Sequence, residues 1–291
     1  MMKIKIIRMV TVFISLMVGF GIHAEVITFQ DGVSPTTSYF GTADVHIISF
    51  DGSGNQTSRP PANPPQNTGA HIYIEEGDYG DAPSAANPDL SLDSKVILIR
   101  FDLASIPAAR SKEVIKAQVG LYFAYERVKG GSGQGPSDAS AGLKNPHNLN
   151  TQKVLKKWAE GDGAGVDGVD AEDNTEQVTW NSTGYELWEA IGAEGPTDVG
   201  PVETSTYFDP VPDTWIWLDV TKMAQEWIAN PAANFGVKIS QETDNDPTNA
   251  PTIYVVGCYD FVSRENPEID QHPELSIELG IPSSVGNWDL Y

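Results

Sequence analysis

The sequence predicts an all-β fold, a sandwich of two packed antiparallel sheets carrying one or two short helices and long loop insertions. Three observations lead there. Apolar segments are short while glycine (27) and proline (20) are frequent among the 291 residues, which favours many strands joined by turns. Nine segments have strand character, at 26–29, 44–49, 71–75, 95–102, 114–127, 214–218, 235–241, 252–261 and 274–279. No fixed-period repeat is visible and no linker separates two self-sufficient apolar patterns, so residues 25–291 read as one domain with a short tail at 280–291.

The chain opens with a segment of export type. Lys3, Lys5 and Arg8 form a basic start, residues 9–20 an apolar run, and Ala24 a small residue before a cut. Residues 1–24 are therefore expected to act as a signal peptide, with an uncleaved anchor as the alternative. A secreted protein, extracellular or periplasmic, is the expectation, with no membrane attachment after cleavage. The formal charge of −22 excludes nucleic acid and anionic membranes as natural partners. Cys258 is the single cysteine, so no internal disulfide framework exists, and its apolar run TIYVVGCYDF predicts a buried small hydrophobe.

Two strands carry particular information. In 95–102, Ile97, Ile99 and Phe101 alternate with Val96, Leu98 and Arg100, so both faces are largely apolar and a central strand covered on two sides is expected. Arg100 there needs a partner, for which a neighbouring carboxylate is the natural candidate and exposure to a ligand the alternative. In TWIWLD, Trp215 and Trp217 share one face, with Ile216 and Leu218 on the other. One helix is well signalled in DVTKMAQEWIANP: Asp219 or Thr221 near the N-cap, Val220, Met223, Ala224, Trp227 and Ile228 on one face, and Asn230–Pro231 as the stop. A second short helix is expected over NLNTQKVLKKWAEG, with Val154, Leu155 and Trp158 as its stripe and Gly161 as its end. The segments 52–69, 130–142, 161–175 and 190–212 read as surface loops.

Several of these segments together resemble one domain type. RFDLASIP (100–107), EVIKAQVGLYF (113–123), KKWAEG (156–161), VTWN (178–181), WLDVTKMAQEWI (217–228), FGVKI (235–239) and FVSRENPEIDQHPELSIEL (261–279) follow the order and spacing of the DNRLRE-type domain, similar to carbohydrate-binding module family 96. The resemblance spans roughly 43–279. It implies a jelly-roll sandwich in which Trp158, Trp180 and Trp227 fill the core. It also implies a non-catalytic module that binds acidic polysaccharides such as alginate. A basic groove suited to a polyuronate is missing, and calcium bridging between carboxylates of protein and glycan is one way to reconcile the two.

The residues themselves point to binding rather than catalysis. His46, His71, His147 and His272 lie in no GxSxG or HExxH setting. A lyase could combine Tyr122, Tyr125 and His71, although nothing in the sequence brings them together. No pair of carboxylates stands out by an apolar setting of the kind a glycosidase needs. Aromatic rings stack on the apolar face of a pyranose. Trp188, beside an irregular loop, Trp215 and Tyr185 are the candidate sugar contacts.

Between Trp158 and Trp180 lie seven carboxylates spaced by glycines with no basic residue among them. Asp162, Asp167, Asp170 and Asp173 have the composition of a calcium loop without EF-hand spacing. A solvated insertion and an acidic partner-binding patch are the alternatives, and the same holds for Glu242 to Asn249. The expected function is secreted, non-catalytic binding of an extracellular or cell-wall polysaccharide, alone or beside a separate enzyme or surface-assembly subunits. A structural or adhesion protein without a sugar site and a divergent polysaccharide lyase or glycoside hydrolase are the competing readings.

Overall fold

The computed structural model describes residues 24–49, 67–80, 92–127, 146–163, 176–241 and 257–280. The expected signal segment up to residue 23, the expected loop at 130–142, most of 52–69, the acidic stretch 164–175, the cluster at 242–249, residues 252–256 of an expected strand and the tail from 281 lie outside them.

The fold is all-β. Among the described residues, eleven strands form one curled sheet in which every pairing is antiparallel. They are β1 (Glu25–Phe29), β2 (Thr42–Ile48), β3 (Tyr73–Gly80), β4 (Leu92–Phe101), β5 (Val114–Arg127), β6 (His147–Val154), β7 (Val199–Phe208), β8 (Thr214–Asp219), β9 (Val237–Gln241), β10 (Gly257–Val262) and β11 (Glu274–Leu279). The long strands β4 and β5 organise the rest. β4 takes β2 along one edge and β3 then β9 along the other. β5 takes β8 along one edge and β11 then β10 along the other. Pairing of β10 with β3 joins the two halves, so the sheet doubles over on itself like a sandwich.

Two cores result, on the two faces of β4. Ile97, Ile99 and Phe101 face the main core, opposite Val119, Leu121 and Phe123 of β5 and beneath Ile216 and Leu218 of β8. Val96 and Leu98 face a second core with Val45 and Ile47 of β2. The two-sided reading of this strand is thus correct. The helix α1 (Thr221–Ala229) also forms where expected, burying Met223, Ala224, Trp227 and Ile228 in the main core. The Asp219 carboxylate accepts from the Thr221 N–H at 2.8 Å, satisfying one of the donors that a helix start leaves open.

The second core is covered by residues 155–163 and 176–198. Trp158, Trp180 and Trp188 fill it, at most 5 % exposed. The Trp158 indole donates to the Phe235 carbonyl at 2.7 Å and that of Trp188 to the Thr179 carbonyl at 3.0 Å. Gly192, at φ +77°, makes room for Trp180, since a Cβ there would sit 2.6 Å from the ring. Asn67 ties the cover down at both ends of the acidic stretch: its amide donates to the carbonyls of Glu160 (2.7 Å) and Val178 (2.8 Å), and its oxygen accepts from Gly163 N–H (2.8 Å).

Two expectations need correction here. Residues 148–161 are not a helix: β6 occupies His147–Val154, and an irregular segment carries Trp158 onward. His147, Leu149 and Thr151 alternate inward, but two of these three are polar, so no apolar period of two was visible. Residues 190–212 are not all loop, because β7 crosses them at Val199–Phe208. It ends the strand path, where Pro201 is tolerated because an edge strand leaves half of its N–H groups unpaired by the sheet. Only Val199 and Phe208 of that strand are buried.

Candidate functional site

Alternation in β8 decides where its tryptophans go. Ile216 and Leu218 pair with Leu121 and Val119 of β5 and point into the main core, so Trp215 and Trp217, paired with Tyr122 and Gly120, point outward. The two indoles are stacked, with ring centroids 5.6 Å apart and planes 22° from parallel. Tyr122 meets Trp215 edge-on at 5.6 Å. Gly120 matters for a specific reason: a Cβ there would lie 2.7 Å from the Trp217 ring, so only glycine lets that indole lie across the neighbouring strand. Trp217 remains 36 % exposed.

Charge surrounds this aromatic patch. Burial, then the Asp213 carboxylate to which it hydrogen-bonds, raises the Tyr122 phenol above the ordinary tyrosine value, and Asp270 adds to the effect. The phenol therefore stays protonated and holds the ring against Trp215 at any physiological pH. At its end β8 delivers Asp219 to a groove of about 380 Å³ whose walls mix Glu203, Thr204 and Lys222 with Pro201 and Val202. Stacked indoles beside a hydrogen-bonding groove can take a flat, hydroxyl-rich ligand.

The predicted contact residues separate. Trp215 belongs to this patch. Trp188 does not: it is 5 % exposed inside the second core, its N–H satisfied by Thr179. The irregular chain around it is a lid over that core, which local sequence does not distinguish from a loop in solvent. Tyr185 is 44 % exposed with the Lys157 ammonium 4.6 Å from its ring centroid, but it lies on that lid, across both cores from Trp215. Trp217 and Tyr122 complete the patch. The signals for them were the TWIW alternation and the glycine two residues before Tyr122.

Among the acidic candidates, Asp162 is exposed and accepts from the Gln177 amide at 2.9 Å, while Asp167, Asp170 and Asp173 lie outside the described residues. The carboxylates that do converge are others. Arg264, in the turn after β10, donates to both oxygens of Glu160 at 2.8 Å, contacts Glu265 at 2.8 Å and Asp31 at 3.6 Å, and gives its backbone N–H to Asp44. Burial, then the charges of Glu265 and Glu160, pushes Asp44 well above the usual carboxylate range. Arg100 lies 5.2 Å from the Trp158 ring centroid, so its near partner is an aromatic face, and burial raises the Glu160 carboxyl above its ordinary value against the opposing charges of Arg264 and then Arg100.

Cys258 is buried as expected, yet its setting is polar. Its Sγ lies 3.2 Å from Glu75 and 3.5 Å from the Lys95 ammonium, which is ion-paired with Glu75. Burial alone would lower Lys95, but Cys258, Glu75 and Asp260 raise it above the ordinary value. Such a lysine is held charged and is a poor general base. Tyr73 stands between His71 and Tyr125, at 6.4 Å and 5.3 Å between ring centroids, and Tyr122 stands on the outer face with Trp215.

Comparison with known protein-family models finds no match, and comparison with curated proteins finds none. Among the described residues, no helix is long and apolar enough to cross a membrane.

Proposed function

We propose that the protein is a secreted, non-catalytic binder of an extracellular or cell-wall polysaccharide, with Trp215, Trp217 and Tyr122 as its sugar platform. One observation carries the reading: two stacked indoles stand on the outer face of a sheet whose inner face already fills the core. Trp158, Trp180, Trp188 and Trp227 are each consumed by packing. Trp215 and Trp217 are not, and exposed aromatic surface on a rigid sheet is what a pyranose face stacks on. The resemblance to carbohydrate-binding module family 96 agrees with this role.

The acidic rim sets the substrate class. Asp213 and Asp270 act on Tyr122, so a polyuronate approaching the platform meets like charge, and neutral glycans are the favoured ligands. An acidic glycan requires a divalent cation between the two sets of carboxylates. A glycan array with calcium and with EDTA tests the reading. Binding of neutral polysaccharides in both buffers is expected, whereas an array blank in both buffers contradicts the role and favours a structural surface protein. Incubation of positive glycans should release neither reducing ends nor unsaturated products; release of either would make the protein a hydrolase or lyase.

A further inference from the structure

We propose that Asp44, Glu160 and Glu265 form a calcium site that pins the cover of the second core to β2 and to the turn after β10. Carboxylate oxygens of these three residues lie within 4.8 Å of one another. They come from three distant parts of the chain: β2, the segment just past Trp158, and the residue after Arg264.

Charge is unbalanced there. Asp31, Asp44, Glu160 and Glu265 gather around Arg264, and the charge of Arg100 also acts on Glu160. Four carboxyl groups face two guanidinium groups, more acid than the arginines can pair with. Hydrogen bonding is unbalanced as well. Asp44 is 1 % exposed, and while its Oδ2 accepts from the Arg264 N–H, its Oδ1 has no donor, and neither has Glu265 Oε2. A buried carboxylate oxygen without a donor is costly and calls for a positive partner. Glu160 Oε1 already accepts from the Arg264 Nε–H and the Asp44 N–H, whereas Oε2 accepts only from Arg264 and keeps a lone pair for a metal.

The donor set is all oxygen, which selects a hard cation. Three carboxylates, each able to bind through one oxygen or two, suit the six to eight oxygens and flexible geometry of calcium better than the strict octahedron of magnesium. Water would complete the shell.

The test is calorimetric titration of calcium into EDTA-treated full-length protein, with thermal melts at fixed ionic strength. A single site is expected, with a melting temperature higher by about 5–10 °C at hundredfold excess over the dissociation constant and a smaller rise with magnesium. Asp44→Asn should abolish both signals. Glu265→Gln, at a partly exposed position, should weaken them at least tenfold and serves if Asp44→Asn does not fold. Joint replacement of Asp167, Asp170 and Asp173 by asparagine should leave them intact. No heat and equal melts in calcium and EDTA would overturn the proposal. So would calcium binding that survives Glu265→Gln unchanged or is lost with the three aspartates.

Discussion

At residue scale the outer face of β8 depends on a glycine. Gly120 sits opposite Trp217 in the register, and the indole occupies the space its missing Cβ leaves. Gly120→Ala forces the ring outward and separates it from Trp215. Because Trp217 is already one-third exposed, the ring has room to yield, so the stability loss should be about 1 kcal/mol, at the low end for overpacking. The effect on glycan affinity should be larger than the effect on the melting temperature. Full affinity in Gly120→Ala would show that the stacked arrangement is not what the ligand recognises. This residue was legible only in hindsight. The sequence displayed Trp215 and Trp217 on one face, but which face met solvent depended on β5, a strand about a hundred residues earlier.

At element scale the lid over the second core is a set of irregular turns held by a few buried polar groups. Asp198, fully buried, accepts from the N–H groups of Glu189, Ala190 and Gly195 at 2.8–3.0 Å and pairs with Lys156 at 2.9 Å. Burial alone would raise this carboxyl, but the three N–H groups and the ammonium hold it below the ordinary aspartate value. A depressed folded-state value means that the unfolded chain binds protons first as pH falls. The contribution is therefore complete above the unfolded value and is lost as pH drops through the folded one. Asp198→Asn should cost about 2 kcal/mol at neutral pH. That deficit should close only below about pH 4, as read from denaturant midpoints of both proteins. A deficit that is the same at pH 3 and pH 7 would contradict the assignment.

The same lid explains where sequence reading stopped. Long two-sided strands, β4 and β5, and the amphipathic α1 announce themselves because burial imposes a period on many consecutive residues. The lid has no period. Trp158, Trp180 and Trp188 reach one core from three irregular turns, so each looked locally like a helix face, a strand entry or an exposed loop. β6 hid for a related reason: His147 and Thr151 take inward positions that an apolar pattern would have marked. The Asp44, Glu160, Glu265 and Arg264 cluster joins three segments through tertiary contacts alone, and only Glu160 lay within the acidic stretch that drew attention.

At the scale of the whole molecule, the curled sheet assigns different work to its faces. The inner face is packed, the outer face of β4 is roofed by the lid, and the outer face of β5 and β8 is left to present aromatic rings. The formal charge of −22 surrounds that face with repulsion for anionic ligands at low ionic strength. A neutral glycan should accordingly bind with little dependence on salt. Tryptophan truncation at the centre of a binding surface typically removes at least about 2 kcal/mol, or roughly 30-fold in affinity. The most direct measurement is calorimetric affinity of the Trp215→Ala/Trp217→Ala double variant for the strongest glycan of the array, with melting temperatures compared. A loss of 30-fold or more with a melt within a few degrees of the parent is predicted. Parental affinity in the double variant would place the sugar elsewhere on the molecule and contradict the account.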